Sequence, residues 1–328
     1  MVAADEIVSS PAWLPVDVQG AEARLVRLDE GAYRAASFLD QRLLAAGFAH
    51  GSCAALLLET AAARLKPRAH YVFHIGHVGS TLISRLIGEC PDFFALREPA
   101  LLRALATSNL AGAPSLGAAL ALLARTWRPT QRAVIKVTSF VSELAEPILT
   151  ASEQAAAIFL CVRPRVYLKG ILAGPSSRLE CRQLAAARLQ RLNRRLGAGE
   201  QVPAPHAEGE WIAMSWLCEM TALRQAAQRF ASQVLWVDFD DFLREPMAGL
   251  RSILRLLGAR LVDAKLQALT SGPLMQQYSK APEYAYDAAL RRELLQRAER
   301  EYAVQIRCGI EWLQTVAGRH PLAAAVLQ

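Results

Sequence analysis

Short apolar runs bounded by glycine, proline or polar residues recur along this chain, at Tyr71–Ile75, Ala133–Val137, Ala156–Val162 and Val234–Phe239. They are rich in β-branched and aromatic residues and too short for helices, so they read as interior strands of a parallel sheet. Phe93–Leu96 reads as a further short strand. After these runs the apolar positions space out at helical intervals, as in Leu82, Ile83, Leu86 and Ile87. The resulting βαβαβ order predicts an α/β fold, a doubly wound parallel sheet flanked by helices. Upstream, Ala21–Leu28, Tyr33–Ala46 and Cys53–Leu65 read as helices punctuated by Gly31, Gly47 and Gly51. This predicts an N-terminal helical annex over residues 1–68 and the α/β domain over 69–328. Downstream, Ala111–Leu123, Arg178–Leu196, Trp211–Phe230, Pro246–Leu257 and Asp287–Trp312 read as helices. The arginines of Arg178–Leu196 read as a solvated face, and the polar stretch Gly197–Gly209 as a lid-like loop.

The first strand ends in YVFHIGHVGST, Tyr71–Thr81. Gly76 and Gly79 can take backbone angles closed to other residues, so successive N–H groups turn toward one point. A helix starting at Ser80 or Thr81 aims its free amides and positive dipole end at the same point. The result is a P-loop-type cradle for a phosphate-like anion, or, more plainly, a glycine turn joining strand to helix. An ATP-binding loop carries Lys immediately before its last Ser or Thr. Here that place is Ser80, and the leading glycine is His74.

Bulk composition narrows the reading. At 328 residues the chain can bury a large core. Hydrophobic content is 53%, much of it alanine, and no apolar run is long enough to span a bilayer. The N-terminus lacks the basic start and apolar core of a secretory signal, so a cytoplasmic protein without membrane contact is expected. The 6 cysteines are scattered, without metal or disulfide spacing. A net charge of +7 comes without a basic tail or aromatic–basic alternation, which argues against nucleic acid. A small polyanion in a positive cleft accounts for it equally.

Ligands of open α/β sheets sit outside the carboxyl ends of the strands. There the sequence sets Arg97 and Glu98, then Lys136, Thr138 and Ser139, then Arg163 and Arg165. This is a pocket for a charged anion with one carboxylate inside it. Each residue also has a plainer role: Glu98 as a helix cap, Lys136 as a solvated strand end, His77 as a backbone-bonded loop residue, His74 as a core histidine. Asp238, Asp240 and Asp241 stand where a P-loop NTPase places its magnesium carboxylate, but no metal site is expected.

Taken together, His77-Val78-Gly79-Ser80-Thr81, LREP at Leu96–Pro99, VRPR at Val162–Arg165, Leu235–Gly258 and MQQYSKAPE at Met275–Glu283 resemble, in order and spacing, the sulfotransferases. The likeness is to bacterial sulfotransferase-like proteins and protein-tyrosine sulfotransferases, and covers roughly residues 70–290. It departs at His77, where Lys or Arg is usual, and at Gly170, where a phosphate-binding Ser is expected; Ser176 or Ser177 are the nearest substitutes. The resemblance implies 3′-phosphoadenosine-5′-phosphosulfate (PAPS) as donor and its desulfated product PAP. Gly76, His77, Val78, Gly79, Ser80, Thr81, Arg163, Ser279 and Lys280 would bind it. Glu98 would act as general base, with His77 and Lys136 stabilising the leaving oxygen. The acceptor would be a small molecule or glycan, and the oligomeric state stays open. A P-loop kinase or NTPase, or a non-catalytic nucleotide-binding scaffold, are the alternatives.

Overall fold

The computed structural model describes residues 1–107, 114–152, 154–197, 201–281 and 283–328. Its first sheet is antiparallel and three-stranded, with β1 (Trp13–Gln19), β2 (Glu22–Arg27) and β3 (His50–Ala54) in that order. The second holds β4 (Ala69–His74), β5 (Phe93–Arg97), β6 (Arg132–Lys136), β7 (Ala157–Cys161) and β8 (Val234–Asp238). Its order is β5-β6-β4-β7-β8, all pairs parallel. Helices flank it, which is the expected α/β architecture. Every residue of β4 is buried, as suits the central strand of a covered parallel sheet.

The N-terminal segment carries helices at Ala4–Ser9, Glu30–Ala35 and Ala55–Ala62, but also the antiparallel sheet. Ala21–Leu28, expected as helix, is mostly strand β2. Ala23 and Leu25 point inward while Glu22 and Arg24 stay exposed, a period of two that ends at buried Val26 and so is too short to stand out among helical matches. Gly20, at φ +57°, makes the tight turn from β1.

The arginine stripe is also corrected. It forms two helices, Pro175–Gln183 and Ala185–Leu196, and its inner arginines are buried. Arg188 donates to Glu219 Oε1 at 3.0 Å, and Arg191 donates to the Phe140 carbonyl at 2.8 Å. Their partners come from other segments, so spacing along one helix gave no sign of them. Glu219 lies on Glu208–Arg229, a helix buried along most of its length. The terminal helix expected over Asp287–Trp312 breaks at Tyr302 into Ala288–Glu301 and Ala303–Ala317. Of Ala111–Leu123, Leu116–Leu123 is helical and residues 111–113 lie outside the described residues, as do 198–200 of the polar loop. The rest of that loop is pinned. Val202 N donates to Asn193 Oδ1 at 2.8 Å, and the Trp312 and Trp211 indoles donate to the Pro203 and Pro205 carbonyls. Among the described residues no helix is long and apolar enough to cross a membrane.

Candidate active site

The carboxyl end of β4 leads into the glycine loop, and the helix Ser80–Gly88 begins where the sequence placed it. Gly79 stands at φ +65°, and a Cβ there would come within 2.0 Å of the Phe239 ring. Only glycine fits, in conformation and in space. Ser80 and Thr81 are buried, and Thr81 Oγ1 has no protein hydrogen-bond partner. Buried hydroxyls without partners are rare in finished cores.

The two loop histidines divide sharply. The Gly76 amide donates to His74 Nδ1 at 3.0 Å, which leaves Nε2–H to donate to the Val137 carbonyl at 2.8 Å. Both nitrogens are thus used by a neutral ring. Burial, then the Lys136 ammonium, hold its pKa well below the ordinary histidine value. His74 is a core residue, as expected, but it takes the Gly76 amide out of the anion cradle. His77 instead lies exposed at the cleft with φ +55°. The surrounding protein mass, followed by the Lys280 ammonium, pushes its imidazole down. These neighbours favour the neutral imidazole over the cation that Lys or Arg would supply at this place.

Glu98 is the second non-glycine residue here with a left-handed backbone, at φ +51°. Strain of this kind in a non-glycine residue costs on the order of 1–3 kcal/mol and gathers at functional sites. Its amide donates to the Lys136 carbonyl at 2.7 Å, and its carboxylate pairs with the fully buried Lys136 ammonium. Burial pushes Glu98 up, but Lys136 and Lys280 pull harder, so its carboxyl lies below the ordinary value. It is ionised at neutral pH. Burial likewise pushes Lys136 down, to about 8, against the attraction of Glu98.

Cavities connect these groups. The loop borders a cavity of about 130 Å³ with Phe239, Tyr286, Lys280 and Arg291. An inner cavity of about 50 Å³ shares His77 and Lys280 with it and reaches Glu98 and Thr138. Glu98 and Thr138 also border an outer groove of about 510 Å³ against β1. Thr138 Oγ1 is a second buried hydroxyl without a protein partner.

Not every expected cation joins this site. Arg97 turns away, donating to the carbonyls of Ala36 at 2.7 Å and Arg34 at 2.9 Å. Arg165 pairs with Glu299. Arg163 stands exposed at the start of Pro164–Leu172, on the same rim but outside the lining of the loop cavity. A side chain at Gly170 would meet open space. Ser279 and Lys280 do line the loop cavity, and the Ser279 carbonyl accepts from Arg85 Nε at 2.9 Å. Arg85 also donates to the Arg34 and Ala35 carbonyls and to Ser37 Oγ. Arg291 was not anticipated. It lies over the Phe239 ring at 5.4 Å and pairs with Asp240 at 2.6 Å. Its only sequence signal is its place just after the irregular segment that carries Lys280. The remaining aspartates are occupied too, since Asp238 accepts from the Asp240 and Asp241 amides and caps Phe239–Arg244.

No protein-family model and no curated protein matches this chain. Solved structures similar to it include sulfotransferases. The sulfotransferase domain from the curacin biosynthetic pathway is 13% identical, with TM-score 0.43 over 72% of this chain and 98% of that one. That of the Synechococcus PCC 7002 olefin synthase is 18% identical, with TM-score 0.40 over 70% and 93%. Mouse SULT7A1, crystallised with PAP, is 11% identical, with TM-score 0.42 over 82% and 92%. At these values the likeness assigns no residue a role.

Proposed function

We propose that the protein transfers a sulfuryl group from PAPS to a hydroxyl or amine of an acceptor, at the seam between the loop cavity and the outer groove. The observation that carries this reading is the position of Glu98. An ionised carboxylate in a strained backbone borders both the cavity with His77 and Lys280 and the open groove beyond. A donor held on one side and a nucleophile on the other would meet beside it.

The residues present fit such a donor. The Ser80–Gly88 helix start, the unpartnered Thr81 hydroxyl and the Lys280 and Arg291 cations line one cavity, and Tyr286 on the same wall offers a ring to a nucleobase. PAPS supplies an electrophilic sulfur whose sulfuryl group carries less charge than a terminal phosphoryl, so the loop can lack the ATP-type lysine. Glu98 holds the acceptor group and takes its proton. Lys136 keeps Glu98 ionised and fixed in orientation, while His77 donates a hydrogen bond through a neutral imidazole. Because these groups are held before any ligand arrives, positioning and charge stabilisation supply the rate.

Melting curves with PAP and with ATP–Mg²⁺ test the donor. PAP at a hundredfold excess over its Kd should stabilise the fold by about 2.7 kcal/mol, with no comparable effect of ATP–Mg²⁺. The opposite ranking would point to phosphoryl transfer. Movement of labelled sulfonate from PAPS to an acceptor would then separate an enzyme from a nucleotide-binding scaffold.

A further inference from the structure

The outer groove differs in kind from the loop cavity, and its walls bear on what enters it. One wall is β1 with Asp40–Arg42, the other is the Ala100–Thr107 helix, and Glu98 and Thr138 form the floor. Each acid on these walls has its own cation: Asp17 pairs with Arg24, Asp40 with Arg42, and Glu98 with Lys136. Arg103 faces Glu180 at 3.7 Å. Charge is therefore balanced before a ligand arrives, and an ionic acceptor gains little from the groove.

Between the aliphatic side chains of Val16, Val18 and Leu101, the groove presents hydrogen-bonding groups that carry no charge. Gln19 and Gln41 each donate Nε2 to Asp17 at 3.0 Å. This fixes both amides and leaves their carbonyl oxygens as acceptors. The buried Thr138 hydroxyl has no protein partner. No aromatic side chain is among the described residues that line the groove, and the Arg42 guanidinium covers the nearby Phe38 ring at 3.6 Å. A flat aromatic alcohol would find no ring to stack on.

We infer that this groove takes a neutral, polyhydroxylated acceptor of oligosaccharide type, with Gln41 as a specificity-determining residue. The inference rests on the sulfuryl-transfer reading of the adjoining cavity. Saturation-transfer NMR on the full chain, with and without PAP, tests it using neutral α- and β-linked glucose trisaccharides, a sulfated disaccharide and 2-naphthol. A neutral trisaccharide should bind best, and Gln41→Leu should weaken it about tenfold, the loss of roughly one hydrogen bond, with PAP binding unchanged. Gln41 is exposed, so the variant should fold. Tighter binding of 2-naphthol or the sulfated sugar overturns the inference. So does the absence of any neutral-sugar signal, or an unchanged affinity in Gln41→Leu. If neutral sugars bind and PAP does not, the sulfuryl-transfer reading fails instead.

Discussion

The loop cavity and the outer groove meet at Glu98 yet are built by different means. On the loop side the main chain sets the shape, through left-handed Gly79 and His77, a helix start and Phe239 packed where a Cβ would sit. On the groove side the shape comes from side chains holding side chains, with Asp17 gripped by Arg24, Gln19 and Gln41. A backbone cradle suits a ligand that never changes, because amides cannot be exchanged by substitution. A wall of paired side chains can be altered one residue at a time, which suits an acceptor that differs between related proteins.

The contrast can be broken most severely at Gly79. Gly79→Ala drives a methyl into the Phe239 ring, costing about 1–3 kcal/mol of overpacking and on the order of 1 kcal/mol more for the left-handed backbone. The PAP-induced rise in melting temperature should vanish while trisaccharide binding survives. Simultaneous loss of both ligands in a folded variant would deny that the two sides are separately built. At the seam, Glu98→Gln should lower turnover by about 10²–10⁴ and leave PAP affinity nearly intact, and near-normal turnover would remove Glu98 from its role. The pH profile sharpens the picture further. Lys136 loses its proton near 8 in the folded chain against 10.5 ordinarily, so kcat/KM should fall above about pH 8. Between these values the unfolded chain holds the extra proton, so this lysine's contribution to stability rises with pH over that window. Activity and urea midpoint should therefore respond in opposite senses, and a parallel decline of both would contradict the assignment.

The central sheet was legible because its strands are bounded apolar runs, and the glycine loop because its angles demand glycine. His77, Glu98, Lys136, Ser279 and Lys280 were found as residues following strands or matching a motif; His77, Glu98, Ser279 and Lys280 line one pair of joined cavities, and Lys136 lies buried behind Glu98. Arg97 and Arg163 satisfied the same rule but do not line these cavities, because position at a strand end does not say where a long side chain turns. The antiparallel sheet was missed for another reason. β3, His50–Ala54, has no apolar alternation of its own, and it is a strand only because β2 pairs with it. Nor could spacing show that Arg188 and Arg191 would be buried, since their acceptors come from elsewhere in the chain.

Arg85 gives the architecture a further consequence. Its one guanidinium, projecting from the helix that follows the glycine loop, ties the carbonyls at the end of the Glu30–Ala35 helix to the strap bearing Lys280. Removing the N-terminal segment would thus strip away more than a wall for the acceptor. It would take away two of the three carbonyls that fix this guanidinium and so loosen its hold on the strap that carries Lys280.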